Sequence, residues 1–467
     1  MRLYNTLTRH LDEFKPMALG RVGVYSCGPT VYWNQHIGHM YAYVHWDVLV
    51  RFLRYLSFEV KWVMNVTDVG HMTSDEDAGE DKMEKGAKRE GVSVWDVANK
   101  YIGQFIDSLE LLNVHRPDVL CRATEHIAEQ IGLIKKIEAN GFTYRTGTGI
   151  VFDTSKFPGY SAFAKLDLEK QKSGARVEID AEKKQPWDFL LWITNQPAHL
   201  MQWESPWGRG FPGWHIECTA MSTKYLGETF DIHTGGKEHI PVHHTDEIAQ
   251  AFGAFKHVTA NYWLHNEWLT VSGEKMSKSL GNFYTVQDLI AKGYDPLALR
   301  YLILTSNYRT GLNFSWESLT AAKTALLRLR KSSQAIKAAG DRKNRGIGCA
   351  DYEQRFAAAL AEDINSPKAL AVVWDLVNDP DLPSGAKTAS LERFDSVLGL
   401  KLMDGASALE VFDSTKVSDS VGLLLKERQT AREAKDFPLA DELRRKIEAE
   451  GYRVEDTEEG QQLRAGA

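Results

Sequence analysis

The stretch from residue 21 to residue 66 restricts the fold of this chain more than any other. Val22-Gly23-Val24-Tyr25 is short and apolar, and it runs into a turn at Gly28-Pro29. A helix is expected to open near His36-Ile37-Gly38-His39. The apolar run from Phe58 to Val66 reads as the next strand. Strand, crossover helix and strand make the βαβ unit of a parallel, doubly wound sheet. Such sheets bind ligands beyond the carboxyl ends of their strands, and Cys27, His36, His39, Thr67 and Asp68 all follow one of those ends.

The 467 residues are enough for two to four domains. Residues 1–118 are expected to hold the first half of the sheet and 119–205 a connective insertion. The second half follows in 206–260, and 261–310 form a linking region with the loop VSGEKMSKSLGN. Successive helices occupy 311–405, and 415–467 form a small charged unit. A net charge of −7 makes the whole-molecule field mildly repulsive to nucleic acid, so any such binding needs a local basic face. Residues 323–345 offer one: Lys323, Arg328, Arg330, Lys331, Lys337, Arg342, Lys343 and Arg345 stand against the single acid Asp341. No apolar run is long enough to span a bilayer, and the polar start MRLYNTLTRHLDEFKP lacks the apolar core of a signal peptide. Cys27, Cys121, Cys218 and Cys349 are too scattered for a disulfide framework, and a reducing cytoplasm is the simplest setting.

Three groups of residues could carry chemistry. His36 and His39, three apart near a helix start, share a face beside backbone N–H groups that favour anions, and Gly38 leaves room for a flat ring or phosphate. An isolated HxxH pair is more often incidental. Lys275-Met276-Ser277-Lys278-Ser279, between Gly273 and Gly281, suits a polyphosphate whose charge builds during reaction, although a lone exposed KxxK is commonly just a solvated loop. Cys27, Cys218, His243 and Glu247 are all acceptable zinc ligands, and His243 and Glu247 share a helical face. Taken singly, such a residue is more often an inert core thiol or a satisfied half-buried histidine than a ligand.

The order of the motifs resolves more than any motif alone. HIGH after the first strand, with KMSKS some 240 residues later, resembles the signature pair of class I aminoacyl-tRNA synthetases. CGPTVY, PGWHIEC, the pair His243-His244 followed by acids, EKMSKSLGNF, PWDFLLW, WESPWG and KDFPLADELRRKIEAEGYRVEDT are similar to the cysteinyl-tRNA synthetase family, over essentially the whole chain. The chain departs from that pattern at Trp33, at Tyr41, in the segment from His233 to Pro241, and at Leu463 before Arg464.

The resemblance implies a Rossmann-like doubly wound parallel sheet with an inserted connective domain, then an all-helical anticodon-binding region and a small C-terminal unit. It implies activation of L-cysteine with ATP and transfer of the cysteinyl group to the 3′-terminal adenosine of tRNA(Cys). One Zn2+ per subunit would select the substrate thiol, held by Cys27, Cys218, His243 and Glu247, with His239 and His244 open as alternatives to His243. ATP with Mg2+ would meet His36, Gly38, His39, Ser277 and Lys278; His36, His39, Lys275 and Lys278 would act in catalysis; Gly28, Thr67 and Trp214 would line the amino-acid pocket. A cytoplasmic monomer without membrane contact is expected. Two rivals share much of this pattern: a cysteine ligase that delivers its adenylate to a small amine, and a non-catalytic tRNA-binding paralogue.

Overall fold

The computed structural model describes residues 1–71, 81–166, 182–276, 281–340, 347–404, 419–434, 436–449, 452–457 and 460–465. Ser277 and Lys278 lie outside the described residues, as do Arg342, Lys343 and Arg345. The central sheet has five strands: β1 (Arg21–Ser26), β2 (Glu59–Val66), β3 (Val119–Arg122), β4 (Phe230–Gly236) and β5 (Ala260–Asn266). Their order is β5-β4-β1-β2-β3, and every neighbouring pair is parallel. Burial on both faces accounts for the near-continuous apolar runs of β2 and for the complete burial of β4. The strand order reverses between β1 and β4, and the crevice above that reversal is where a doubly wound sheet receives ligands.

Helix α1 (Ile37–Tyr55) crosses from β1 to β2. Its start is fixed by a reciprocal cap: the His36 side chain accepts the His39 backbone N–H, and the His39 side chain accepts that of His36. Fourteen of its nineteen residues are buried, so α1 is a core element whose amino end opens at the crevice. Helices α2 (Ile216–Leu226) and α3 (His243–Phe255) pack on each other and on the helix Ile127–Ala139. That last helix is the amphipathic segment expected from TEHIAEQIGLIKKIEANG, and Gly141 follows it at φ 80°.

The insertion is a four-stranded antiparallel sheet of Thr143–Thr146, Gly149–Phe152, Phe189–Thr194 and Gly210–Pro212, in that order. Its core includes Phe152 stacked on Phe189 with ring centroids 5.0 Å apart. Val119–Arg122, inside the stretch read above as insertion, pairs with β2 as the edge of the central sheet. Gly210–Pro212, read as resumed central sheet, belongs to the antiparallel one. Strands this short carry too little periodicity to announce which sheet they join.

Beyond β5, Leu269–Val271 pairs with Glu274–Lys275 and with Leu312–Phe314, so the segment leading to KMSKS is anchored beside the crevice. The helices Pro296–Leu304, Trp316–Ala339, Ala350–Ala361, Ser366–Asn378 and Ser384–Leu398 follow. The basic stretch is not uniformly a surface. Arg330 is buried, donating to Leu400 O and to Asp295, and Lys323 donates to Gly293 O at 3.0 Å. A terminal unit of two helices, Asp419–Glu433 and Phe437–Ala449, ends in the hairpin Tyr452–Thr457 with Gly460–Ala465. Among the described residues no helix is long and apolar enough to cross a membrane.

Candidate active site and metal centre

The end of β1 delivers Cys27 to the crevice, and the backbone beyond it passes so close to β2 that only glycine fits. A Cβ on Gly28 would stand 1.6 Å from Asn65 O, and Gly28 N–H donates to Asn65 Oδ1 at 2.8 Å. Cys218 comes from the first turn of α2, and His243 and Glu247 from one face of α3. Cys27 Sγ lies 3.9 Å from Cys218 Sγ and 3.8 Å from Glu247 Oε1, while His243 Nε2 lies 3.1 Å from the same Glu247 oxygen. All four side chains are buried and their donor atoms lie within 4.8 Å of one another.

A second set shares Cys27 and Glu247 but substitutes His233 and His244; His244 Nε2 is 3.3 Å from Cys27 Sγ. The imidazoles of both sets have hydrogen-bond partners: in the first, His243 Nδ1 meets His215 Nδ1 at 3.1 Å. In the second, His233 Nε2 donates to Glu247 Oε2 at 2.9 Å, and His244 Nδ1 meets His265 Nε2 at 2.7 Å, with His265 Nδ1 against Thr6 Oγ1. His239 belongs to neither set. Two thiols, an imidazole and a carboxylate are a donor set that zinc takes tetrahedrally. Electrostatics agree with a cation there: burial works against a charged His243, yet Cys218 and Glu247 outweigh it and hold its pKa up at about 10. The residues of the first set therefore fit a zinc ion.

The cleft, about 640 Å3, is lined by Cys27, Gly28, His36, Gly38, His39, Thr67, Trp214, Cys218, His243 and Lys275, so it gathers every described candidate except Glu247 and the alternative His244, which lie 3.8 and 3.3 Å from Cys27 Sγ. The His36 and His39 rings stack with centroids 3.7 Å apart. Burial lowers the pKa of His36 to about 4, with Glu238 opposing and Lys275 adding to the effect; burial likewise holds His39 well below its ordinary value. A Cβ on Gly38 would be 2.8 Å from Nδ1 and Cε1 of the His36 ring and 2.9 Å from Met276 Cε, so the bare backbone leaves room for the capping His36 ring beside Met276. Thr67 Oγ1 donates to Glu217 Oε2 at 2.9 Å, and the Trp214 ring lies 4.5 Å from that of His243.

Several residues of this cleft gave no motif in the sequence. Asn65 shares a face of β2 with Thr67 by strand alternation, a signal available in principle. Glu238 and Trp268 meet only in the folded chain, where Trp268 Nε1 donates to Glu238 Oε2 at 2.8 Å. The buried His233–Glu247 pair likewise needs β4 and α3 side by side.

Two family models match the chain. One, described as "tRNA synthetases class I (C) catalytic domain", covers residues 13–324; the other, "Cysteinyl-tRNA ligase anticodon binding domain", covers residues 415–464. Among solved structures the chain is similar in fold to Mycobacterium tuberculosis methionyl-tRNA synthetase bound by methionyl-adenylate. The TM-score is 0.57 at 16% identity, over 81% of this chain and 88% of that one. That likeness shows the fold; the family match over residues 13–324, on a parallel sheet with its strand reversal beside Cys27 and a capped HIGH helix, defines a class I aminoacyl-tRNA synthetase catalytic domain.

The curated relatives narrow the class. Cysteine–tRNA ligase 1 of Burkholderia lata is 48% identical, spanning 99% of this chain and 96% of its own length. The cysteine–tRNA ligases of Treponema denticola and Thermus thermophilus are 44% and 40% identical, each covered to 98% of its own length. The chain belongs to the cysteine–tRNA ligase family.

Proposed function

We propose that the chain activates L-cysteine with magnesium-bound ATP, giving cysteinyl-adenylate and pyrophosphate, and then passes the cysteinyl group to the 3′-terminal adenosine of tRNA(Cys). The observation that carries this reading is the meeting, in one cleft, of the Cys27–Cys218–His243 donors with the stacked His36–His39 pair and Lys275.

The substrate carboxylate oxygen attacks the α-phosphorus, and the bond from that phosphorus to the β-phosphate oxygen breaks. No side-chain nucleophile is needed, so the chain contributes position and charge. His36 and His39 are neutral near pH 7 because burial disfavours their cations. Each uses Nδ1 to accept a backbone N–H in the cap, which leaves the proton on Nε2 as a donor for a phosphate oxygen. The positive end of the α1 dipole adds to this field. Lys275, on its exposed strand, and Lys278 draw the charge of the departing pyrophosphate. Thr67, Gly28 and Trp214 wall the amino-acid pocket. Held by Cys27, Cys218, His243 and Glu247, zinc would supply a Lewis acid that favours a thiolate over a hydroxyl. The helical region and the terminal unit receive the tRNA, and the chain works as a cytoplasmic monomer.

The test is cysteine-dependent ATP–pyrophosphate exchange with and without tRNA, combined with zinc analysis of the purified protein. Exchange with tRNA charging is the expected result. Exchange without charging would point to a small-amine acceptor, and absence of both to a non-catalytic paralogue.

A further inference from the structure

The corner between the helices Ala350–Ala361 and Ser366–Asn378 holds a backbone that its residues do not favour. Asp363 and Ile364 both stand in the left-handed region, at φ 56° and φ 50°, and neither is glycine. For a β-branched residue such as isoleucine this is a strained state, kept only where the surroundings fix it. Here they do. Asp363 is 4% and Ile364 1% exposed, Asp363 N–H donates to Arg2 O at 3.0 Å, and Ile364 N–H donates to Leu360 O at 3.0 Å. Nothing in the proposed chemistry touches this corner.

The corner aims one carboxylate. Asp363 Oδ1 accepts from the Tyr308 hydroxyl at 2.7 Å and from Tyr4 N–H at 2.8 Å, and Oδ2 accepts from Arg309 Nε at 2.6 Å. Tyr308 and Arg309 belong to the short segment between the helix Pro296–Leu304 and the strand Leu312–Phe314. That segment meets both elements assigned to the phosphates. Tyr41, on α1 just beyond His39, donates its hydroxyl to Asn307 O at 3.0 Å. On the other side Glu267 N–H donates to Tyr308 O at 2.7 Å, and Leu312–Phe314 pairs with Leu269–Val271, the partner of Glu274–Lys275. The approach is close: a Cβ on Gly311, which has φ 75°, would stand 2.7 Å from Trp268 O.

We infer that Asp363 is a positioning residue for adenylate formation: through Tyr308 and Arg309 it fixes the strand that carries Lys275 relative to the histidine pair at the start of α1. The inference rests on the adenylate reading above. The histidines and the lysine act on different phosphates of one triphosphate. A shift of the strand against α1 therefore misplaces charge in the transition state. It leaves alone the cysteine end, whose donors stand on α2, on α3 and just past β1. The strained corner then has a use: it turns a carboxylate of the helical region onto a segment of the catalytic one.

The experiment compares Asp363→Gly, Asp363→Asn and Tyr308→Phe with the wild type. Glycine accepts the left-handed backbone and removes only the carboxylate, whereas asparagine tolerates that backbone and keeps an oxygen for Tyr308 and Tyr4. Asp363→Gly is expected to lower kcat of cysteine-dependent exchange about tenfold or more, with KM for cysteine and zinc content as in the wild type. Tyr308→Phe should lower kcat less, and Asp363→Asn should stay within about threefold of wild type. Amide hydrogen exchange, read by mass spectrometry, should quicken in residues 267–275 of Asp363→Gly and stay unchanged in α2 and α3. A lower Tm with wild-type kcat in Asp363→Gly overturns the inference. So does loss of zinc and cysteine affinity along with kcat, or unchanged hydrogen exchange in residues 267–275. A wild type without cysteine-dependent exchange would refute the adenylate reading, while the hydrogen-exchange comparison would still decide whether Asp363 holds the strand.

Discussion

Cys27 is buried against Cys218 and Glu247, and burial first, then these two neighbours, pushes its thiol pKa well up. Such a group becomes an anionic donor only beside a cation. Cys27→Ser is therefore expected to lose zinc and cysteine activation together while ATP binding survives. Metal analysis and cysteine-dependent exchange on the folded variant check this. Shape alone separates cysteine from serine by only about 1–3 kcal/mol, so a zinc-free variant that kept the wild-type preference would refute the role given to the cluster. His45 on α1 makes a different prediction. It is buried, neither ring nitrogen has a hydrogen-bond partner among the described residues, and it packs edge-on to Tyr41 with Tyr308 nearby. Burial, helped by the Arg300 charge, lowers its pKa to about 3. The unfolded chain binds this proton more readily, so the His45 contribution is intact above about pH 6.5 and is lost as pH falls from there toward 3. His45→Phe should therefore lose less thermal stability than wild type between pH 7.5 and 5.5, read as the change in Tm across that interval.

Helix α1 joins the histidine pair at its start to a buried ionic knot further along. Asp47 Oδ2 accepts from Arg51 Nε at 2.7 Å and from Arg300 Nη2 at 2.6 Å, and Oδ1 accepts from His115 N–H. Burial alone would raise the Asp47 pKa, but the two guanidiniums outweigh it and keep the carboxylate ionised. Arg300 also donates to Leu398 O and Leu112 O, and Arg51 to Ser396 O, so one carboxylate ties α1 to the carboxyl end of the helix Ser384–Leu398. Asp47→Asn leaves two buried cations without their anion, and a loss of about 3–5 kcal/mol is expected from urea unfolding. Arg330, read from its sequence context as part of a basic face, serves the same junction through Leu400 O. The KMSKS element carries a kinetic prediction. Lys278→Ala should cut the rate of adenylate formation about a hundredfold or more while cysteine binding holds, because the contact strengthens only as pyrophosphate leaves. Unchanged kcat with weaker ATP binding would instead mean that this lysine merely holds nucleotide.

The molecule divides its cores in a way that bears on its two half-reactions. Val421, Ile447 and Val454 form one small cluster and Ala431, Ala440 and Leu443 another, both separate from the large core shared by the sheet and the helices after it. Deleting residues 415–467 should therefore leave cysteine activation intact and cripple tRNA charging, measured as exchange and as aminoacylation kcat/KM. Normal charging by the truncated enzyme would remove the tRNA role of this unit. Loss of both steps would assign it a structural one.

Local chemistry made much of this protein legible in one dimension. Alternation and apolar runs marked β1 and β2, the spacing of His36 and His39 marked the opening of α1, and the family resemblance of the short motifs pointed to Cys27, Cys218, His243 and Glu247 as a donor set, with His239 and His244 open as alternatives to His243. Those signals concern which face of a segment is buried and what its neighbours in the chain are. Pairings between distant segments carry no such mark. Cys27 and Cys218 are 191 residues apart, and Asp47 and Arg300 are 253 apart. Tertiary packing alone decided that His233 pairs with Glu247, that His244 meets His265, and that His243 meets His215 while facing Glu247 from the next helical turn. It also turned Arg330 inward, set the edge of the sheet at Val119–Arg122, and brought Glu238 to the indole N–H of Trp268. The physical reason is common to all of these: hydrogen bonds and ion pairs across the fold depend on how elements dock, and docking is set by the sum of many weak apolar contacts rather than by any residue's own preference.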